Sequence, residues 1–224
     1  PDPQVLDLCD ELGIVVWNEC FDKWEGTSGR LPSENMEDYV SQVLARFVRR
    51  DRNHPSVVAW SIGNEIWKKD QADAWNKDAW GETGMSAERF RRFRDAVRHE
   101  DATRPVGIGC CGHGGDPMFA ELDLTGWNYG GKYAEHRAAL PRQPVVYTES
   151  ASAVSETGFY GSLPQSKTDY ARTTLQVSSY DHCAAPWSDI PDVEFMRMAR
   201  DTYCAGEFVW TGIDYLGEPT PIVN

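Results

Sequence analysis

The sequence predicts an α/β fold in which the strands of a parallel sheet alternate with helices. Short apolar runs along the 224 residues alternate with stretches whose apolar residues recur at helical spacing. Two of the runs, Val57–Glu65 and Pro144–Ser150, each reach a carboxylate at their end, Glu65 and Glu149. Apolar runs without polar alternation are typical of strands that helices cover on both faces.

The predicted strands are short apolar runs bounded by turn residues. They are Gly13–Asn18, Val57–Gly63, Pro105–Cys110, Asp123–Asn128, Val145–Thr148 and Glu207–Gly212. The first predicted helix lies between the first two strands and has one apolar face, formed by Val40, Val43, Leu44, Phe47 and Val48. Ser33 is a suitable N-cap for this helix. Arg49 and Arg50 suit its negative C-terminal end, and Pro55 prevents it from continuing.

The remaining predicted helices connect the later strands. One begins at Ser86 and leads to the third strand, with an apolar face formed by Phe90, Phe93 and Val97. Shorter helices are predicted at Lys132–Leu140, Thr168–Ser179 and Asp192–Tyr203.

The number of strands leaves two architectures open. Six strand–helix units are visible, whereas a closed (β/α)8 barrel needs eight. A truncated barrel that lacks its first two strands explains the count, and a complete, open six-stranded α/β sheet explains it equally well. Long connections at Cys20–Pro32, Ile66–Met85 and Ala151–Ser166 favour the barrel, because its active-site loops extend at one face.

The charge of the chain limits the partners it can have. Asp and Glu number 35 against 22 Lys and Arg, so the formal net charge is −13. This balance argues against nucleic acid, whose binding depends on Lys and Arg at the phosphates, and a neutral substrate fits best. No apolar stretch approaches the roughly 20 residues of a membrane-spanning helix, so no membrane association is predicted. The chain begins abruptly at Pro1, and we expect it to be a piece of a longer protein.

Cysteine and histidine patterns predict neither a metal site nor a cofactor. The six cysteines have no Cys-x-x-Cys spacing, and the five histidines are scattered along the chain. Free, mostly buried thiols are expected, and one or two disulfides are the alternative.

Glu65 and Glu149 are the candidate catalytic residues. In α/β barrels the chemistry takes place at the carboxyl ends of the strands, where both are predicted to lie. A charge in that place is costly without a purpose. Two carboxylates that meet there indicate acid/base or nucleophilic work on a glycosidic bond. The alternative is that both glutamates form structural salt bridges.

Four segments resemble the family 2 glycoside hydrolases, which are retaining enzymes on a (β/α)8 barrel. Arg52–Glu65 resembles the acid/base signature of that family, and Tyr147–Ser152 resembles the nucleophile strand of its β-galactosidase-like branch. Gly206–Pro219 is similar to the eighth strand, and Asp10–Glu19 is similar to the third. The resemblance implies that residues 1–224 are part of a catalytic barrel domain. It also implies that the first two strands, the last helix and the preceding β-sandwich domains are absent from this chain.

The resemblance implies a role for each candidate residue. Glu65 would be the general acid and then the base, and Glu149 would be the nucleophile. Asn64 would hold the sugar 2-hydroxyl, and Tyr129 would hydrogen-bond the nucleophile, although an ordinary interfacial tyrosine is the alternative. Trp210 would form the aromatic floor of the sugar site, with a buried core tryptophan as the alternative. Retention would then require the two carboxyl groups to lie about 5–5.5 Å apart.

Two further acidic residues end predicted strands at the same face. Glu19 and Asp214 could each contact sugar hydroxyls or pair with an arginine. Ser152 stands where some relatives have a histidine, which leaves its role open.

The function implied by the resemblance is a retaining exo-β-glycosidase that releases terminal β-linked galactose from oligo- or polysaccharides. A β-glucuronidase, β-xylosidase or β-mannosidase would keep both glutamates, and Lys132 is a weak hint of glucuronate recognition. The alternative from another class is a sugar-binding barrel without turnover, although pure binding does not require a nucleophile. A carbohydrate is thus the expected partner, homo-oligomers would form through parts outside this chain, and a periplasmic or secreted location is expected.

Overall fold

A computed structural model of the protein describes residues 1–22, 24, 36–66, 85–110, 115–155, 157–161, 163–169 and 177–213. Within these ranges the α-helices are α1 (Pro3–Leu12), α2 (Met36–Asp51), α3 (Ala87–Glu100), α4 (Tyr133–Ala139) and α5 (Pro191–Arg200), with a 3-10 helix at Pro117–Glu121. The strands are β1 (Val16–Glu19), β2 (Val57–Asn64), β3 (Val106–Cys110), β4 (Thr125–Asn128), β5 (Val145–Glu149) and β6 (Cys204–Glu207). The chain divides into a first unit, Pro1–Gly126 with Glu135–Pro144, and a second unit, Trp127–Ala134 with Val145–Asn224.

The strands of the first unit pair in parallel and follow the chain order β1-β2-β3. Glu19 at the end of β1 lies opposite Ser61 of β2, and Asn64 at the end of β2 lies opposite Gly109 of β3. Because parallel strands end at the same edge, this register brings the residues that follow β1 and β2 close together. The α/β class with parallel strands is therefore confirmed.

Helices α2 and α3 bury most of the apolar faces that their sequence spacing predicts, although Val43 and Phe47 of α2 are only half-buried. The buried apolar residues at this spacing are Val40, Leu44 and Val48 in α2 and Phe90, Phe93 and Val97 in α3. Ser86 caps α3 by accepting a hydrogen bond from the N–H of Arg89 at 3.2 Å, whereas Ser33 lies outside the described residues. Trp60 of β2 is fully buried and packs edge-to-face against Phe47 of α2, with ring centroids 5.5 Å apart. Helix and strand are thus held together by apolar contact.

Helix α1 is not among the elements predicted from the sequence, and the first strand begins later than predicted. Asp2 caps α1 by accepting a backbone hydrogen bond at 2.9 Å, and Pro3 stands in its first turn. Gly13 ends the helix with φ 70°, and its N–H donates to the carbonyl of Cys9. Gly13 therefore belongs to the helix end, so the strand predicted from this residue starts instead at Val16.

In the second unit β5 and β6 pair in parallel, and Tyr147 lies opposite Glu207. The strand predicted at Glu207–Gly212 is wrong, because β6 ends at Glu207. Beyond it, Ser152 and Trp210 form an isolated parallel bridge. The apolar run after Glu207 suggested a buried strand, but Trp210 is 42% exposed.

Two later helices are confirmed within a few residues, and a third cannot be compared. The helices predicted at Lys132–Leu140 and Asp192–Tyr203 correspond to α4 and α5. The helix predicted at Thr168–Ser179 falls largely outside the described residues, and the described residues at its two ends are not helical. Of the helices that the structure describes, none is both long and apolar enough to cross a membrane.

Asp101 connects α3 to the sheet of the first unit. Its carboxylate accepts hydrogen bonds from the Trp60 indole at 2.9 Å, from Thr103 N–H at 2.8 Å and from Arg104 at 2.7 Å. Burial opposes the charged form of Asp101, but the hydrogen bonds from Thr103, Arg104 and Trp60 outweigh it, so the pKa of this carboxyl lies well below its usual range. The ionised form is therefore the one that the fold stabilises.

Asp101→Asn should lower the free energy of unfolding by about 2 kcal/mol, because it removes a buried charge that receives several hydrogen bonds. The control is Asp38→Asn, which breaks an exposed pair with Arg92 and should cost less than about 0.5 kcal/mol. Urea unfolding at pH 7 measures both. Because the folded-state pKa of Asp101 is depressed, its contribution should be present at neutral pH and lost as the pH falls below about 4. Equal losses for the two variants would contradict the assignment.

Candidate active site

Glu65 lies directly after β2 at the carboxyl edge of the first unit. Its N–H donates to the carbonyl of Gly109 at 2.9 Å, which anchors its backbone to β3. Its φ is 49°, in the left-handed region that residues other than glycine rarely adopt. Backbone strain of this kind persists where the surrounding structure imposes it, and it is concentrated at functional sites.

Asn64 precedes Glu65 and is oriented by a loop residue. Its backbone N–H donates to the carbonyl of Asp22 at 2.9 Å, and its side-chain amide donates to the Asp22 carboxylate at 3.1 Å. Asp22 is not among the residues predicted from the sequence, although an acidic residue so soon after the carboxyl end of β1 was an available signal. Both contacts fix the position of Asn64 and, through the chain, of Glu65.

Glu19 lies at the same edge, at the end of β1. Its carboxylate accepts hydrogen bonds from the Ser61 hydroxyl at 2.7 Å and from the Trp17 indole at 3.4 Å. The structure therefore brings Glu19, Asn64 and Glu65 to one edge of the first unit, as predicted for residues at the ends of parallel strands. Trp17 of β1 and Ser61 of β2 thus each provide Glu19 with a neutral hydrogen-bond donor.

A glycine makes room for the buried ring beneath this edge. The Trp24 indole donates to the carbonyl of Ile62 at 2.7 Å. A Cβ at Gly63 would lie 2.8 Å from the indole nitrogen of Trp24, too close for any side chain at this position. The Ile62–Gly63 segment and Trp24 therefore pack directly against each other, one residue before Asn64.

Glu149 ends β5 in the second unit, where Tyr129 contacts it twice. The Tyr129 hydroxyl donates a hydrogen bond to the Glu149 carboxylate, and the Tyr129 N–H donates to the Glu149 carbonyl at 2.7 Å. Tyr129 also has a left-handed backbone, with φ 55°. In the residues just before these two, the Thr148 hydroxyl donates to the side-chain oxygen of the buried Asn128 at 2.6 Å. The ends of β4 and β5 are thus joined by side-chain as well as backbone hydrogen bonds.

Among the other residues singled out in the second unit, the structure describes Trp210, Ser152 and Glu207. Trp210 is 42% exposed and pairs with Ser152, so its ring is not buried among the described residues. Ser152 donates its N–H to the hydroxyl of Ser188 at 2.7 Å. Asp214 lies outside the described residues. Glu207 ends β6 and is half-buried, and one of its carboxylate oxygens is buried without a hydrogen-bond partner among the described residues.

The described cysteines include four free thiols, Cys9, Cys20, Cys183 and Cys204. Free thiols are therefore confirmed for these four positions. Cys20 directly follows Glu19, and its N–H donates to the carbonyl of Ser61 at 3.2 Å. Burial raises the pKa of the Cys20 thiol to about 12.

Away from this edge, Asp7, Asp10 and His54 lie close together near the amino end of β2, and all three are residue types that can bind a metal ion. His54 Nδ1 lies 2.7 Å from Asp10 and 3.9 Å from the exposed Asp7. Asp10 also accepts the N–H of Ser56 at 2.9 Å. Hydrogen bonds from Ser56, partly opposed by burial, together with His54, lower the pKa of Asp10. These contacts join α1 to the start of β2, so the arrangement fits a structural role in connecting the two elements.

Comparison with known proteins identifies the family to which this chain belongs. The family model described as glycosyl hydrolases family 2, TIM barrel domain, matches residues 1–222. A β-glycosidase structure from Bacteroides vulgatus superimposes with a TM-score of 0.74 at 25% identity, over 96% of this chain and 29% of that one. The chain therefore belongs to glycoside hydrolase family 2, and the (β/α)8 barrel is confirmed over the open sheet.

Individual relatives carry two different activity names. The β-galactosidase BoGH2A of Bacteroides ovatus is 33% identical over 99% of this chain and 30% of its own length. The β-glucuronidase of Mus musculus is 44% identical, but over 28% of this chain and 9% of its own length. The chain spans about a third or less of the length of these relatives. The separation of the Glu65 and Glu149 carboxyl groups stays a prediction.

Proposed function

We propose that the protein is a retaining exo-β-glycosidase in which Glu149 is the nucleophile and Glu65 is the general acid and then the base. The hydrogen bond from the Tyr129 hydroxyl to the Glu149 carboxylate is the observation that supports this most directly. A hydroxyl donor stabilises the ionised carboxylate, which is the form that attacks an anomeric carbon. The Tyr129 N–H also donates to the Glu149 carbonyl and so holds the backbone of Glu149 in place.

The surroundings of Glu65 support the second role. Retaining hydrolysis needs a carboxylic acid that protonates the leaving oxygen and then removes a proton from water. The left-handed backbone of Glu65 and the two contacts between Asn64 and Asp22 hold this pair of residues in a defined position at the strand end. An amide at Asn64 suits the sugar 2-hydroxyl, a contact that strengthens in the oxocarbenium-like transition state.

We further propose a terminal, neutral β-linked sugar as the substrate, with galactose preferred. The relative named β-galactosidase is 33% identical over nearly the whole chain, whereas a relative named putative β-glucuronidase, from Formosa agariphila, is 25% identical over 96% of it. A net charge of −13 also disfavours a uronate, which needs basic groups at its carboxylate. Trp210 presents an exposed ring on which the apolar face of a hexose can stack.

Changing the proposed nucleophile should abolish turnover without unfolding the protein. Glu149→Gln should lower kcat by at least about a thousandfold, because an amide cannot attack the anomeric carbon. The control Glu88→Gln alters an exposed glutamate on α3 and should leave kcat unchanged. In the parent protein a 2-fluoro glycoside should label Glu149, as mass spectrometry of a digest would show. A label on Glu207 instead would contradict the assignment.

Loss of the acid/base should depend on the leaving group. Glu65→Ala should slow substrates with alkyl leaving groups roughly a thousandfold and dinitrophenyl glycosides much less, because activated groups depart without protonation. Azide should restore turnover of the activated substrate and give the β-glycosyl azide, since an anion needs no general base. Single-turnover and steady-state rates measure both effects. If both kinds of substrate slowed equally, Glu65 would have another role.

A panel of nitrophenyl β-glycosides, assayed with the complete protein, tests the substrate. The β-galactoside should have the highest kcat/KM, and the β-glucuronide should be at least roughly tenfold poorer, because no basic cluster is proposed for its carboxylate. The β-glucoside, β-mannoside and β-xyloside serve as neutral controls. A higher kcat/KM on the β-glucuronide would reverse the ranking and point to Lys132.

A further inference from the structure

The backbone turn that carries Tyr129 is unusual in the second unit. Tyr129, Gly130 and Gly131 are consecutive left-handed residues, with φ of 55°, 65° and 65°. Glycine adopts this region at no steric cost, but tyrosine does so only where its surroundings compensate for the strain. One side of the turn is held by the backbone bond from Tyr129 to Glu149. The other side is held by residues that the proposed chemistry does not use.

Tyr147 and Arg197 contact the far side of this turn. The Gly131 N–H donates to the Tyr147 hydroxyl at 3.4 Å. The Arg197 side chain lies so close to Gly131 that a Cβ there would be 2.7 Å from Arg197 Cδ. Tyr147 is fully buried in β5, two residues before Glu149. Strand β5 therefore carries both the proposed nucleophile, Glu149, and the Tyr147 hydroxyl, which contacts the turn that carries Tyr129.

A buried carboxylate on α5 holds both of these contacts. Glu194 is fully buried, accepts the Tyr147 hydroxyl at 2.8 Å and pairs with the Arg197 guanidinium. Arg197 also lies 3.5 Å from Asp189. Burial and the charge of Glu194 raise the pKa of Tyr147, so its hydroxyl keeps the proton that it donates. A buried ion pair of this kind is costly compared with apolar packing, which suggests a purpose other than stability.

We propose that Tyr147, Glu194 and Arg197 are positioning residues that hold the turn at Tyr129–Gly131 and thereby keep the Tyr129 hydroxyl on the Glu149 carboxylate. The inference rests on the proposed function, because it takes Glu149 as the nucleophile. Loss of the network would let the turn relax, weaken the hydrogen bond from Tyr129 and raise the pKa of Glu149. The effect would reach catalysis through Tyr129 alone.

The first test is Tyr147→Phe in the complete protein, which removes the hydroxyl and keeps the buried ring. The matched control is Tyr133→Phe. Tyr133 is also fully buried, packs against Tyr147 with ring centroids 5.2 Å apart, and donates its hydroxyl to Asp201 at 3.1 Å. Tyr147→Phe should lower kcat/KM roughly tenfold and move the acidic limb of its pH profile upward, whereas Tyr133→Phe should change kcat/KM less than about threefold. Equal effects of the two variants would overturn the proposal.

A double-mutant cycle with Tyr129→Phe separates positioning from general destabilisation. Once the Tyr129 hydroxyl is gone, Tyr147→Phe should lower kcat/KM by less than about twofold and leave the acidic limb in place. Additive losses would overturn the proposal, since they would show that Tyr147 acts by another route. If Tyr147→Phe fails to fold, Glu194→Gln decides the cycle by the same criteria, because it keeps an oxygen for Tyr147 and removes the charge beside Arg197.

Labelling of the parent protein by a 2-fluoro glycoside distinguishes failure of the positioning role from failure of the proposed function. If Glu149 is labelled and the cycle is additive, the positioning role alone is wrong. If Glu149 is not labelled, the proposed function is wrong and the positioning role falls with it.

Discussion

Parallel strands end at the same edge of a sheet, and this constraint determines at which edge the acidic residues at the strand ends lie. In the first unit it brings Glu19 to the edge where Glu65 follows β2. In the second unit it places Glu149 and Glu207 at the ends of paired strands. Carboxylates that lie close together repel each other and lose hydration, so such an edge is costly for stability. The hydroxyl, indole and backbone donors around these residues offset part of that cost.

The two left-handed residues outside glycine, Glu65 and Tyr129, show where the described chain accepts strain. Each follows a strand directly, so its side chain leaves the sheet in a direction that regular β geometry would not allow. Each is also anchored by its own N–H, Glu65 to Gly109 and Tyr129 to Glu149. In each case the backbone hydrogen bond stabilises the left-handed conformation, and this conformation sets the direction of the side chain. Precision at the strand ends thus depends on main-chain contacts as much as on side-chain packing.

Most elements could be predicted from sequence because apolar spacing determines which face of each is buried. Val57–Asn64 and the face of α3 follow this rule directly. The limits of β1 and β6 could not be predicted, because the end of α1 at Gly13 and the irregular pairing after Glu207 depend on single backbone contacts. The proposed roles of the two glutamates came from resemblance, whereas the left-handed backbone of Glu65 and Tyr129 and the burial of Glu194 have no local sequence signal. Long-range hydrogen bonds set these features.

Cys20, beside Glu19, has a consequence for probes aimed at this edge of the first unit. Burial raises the pKa of its thiol to about 12, so the protonated thiol predominates at pH 7, whereas the thiolate is the reactive form. Electrophilic sugars such as epoxides and haloacetyl glycosides should therefore react slowly with this sulfur. Covalent inhibitors aimed at the carboxylates of this edge can therefore be chosen for carbohydrate fit, with little competition from a thiol adduct at Cys20.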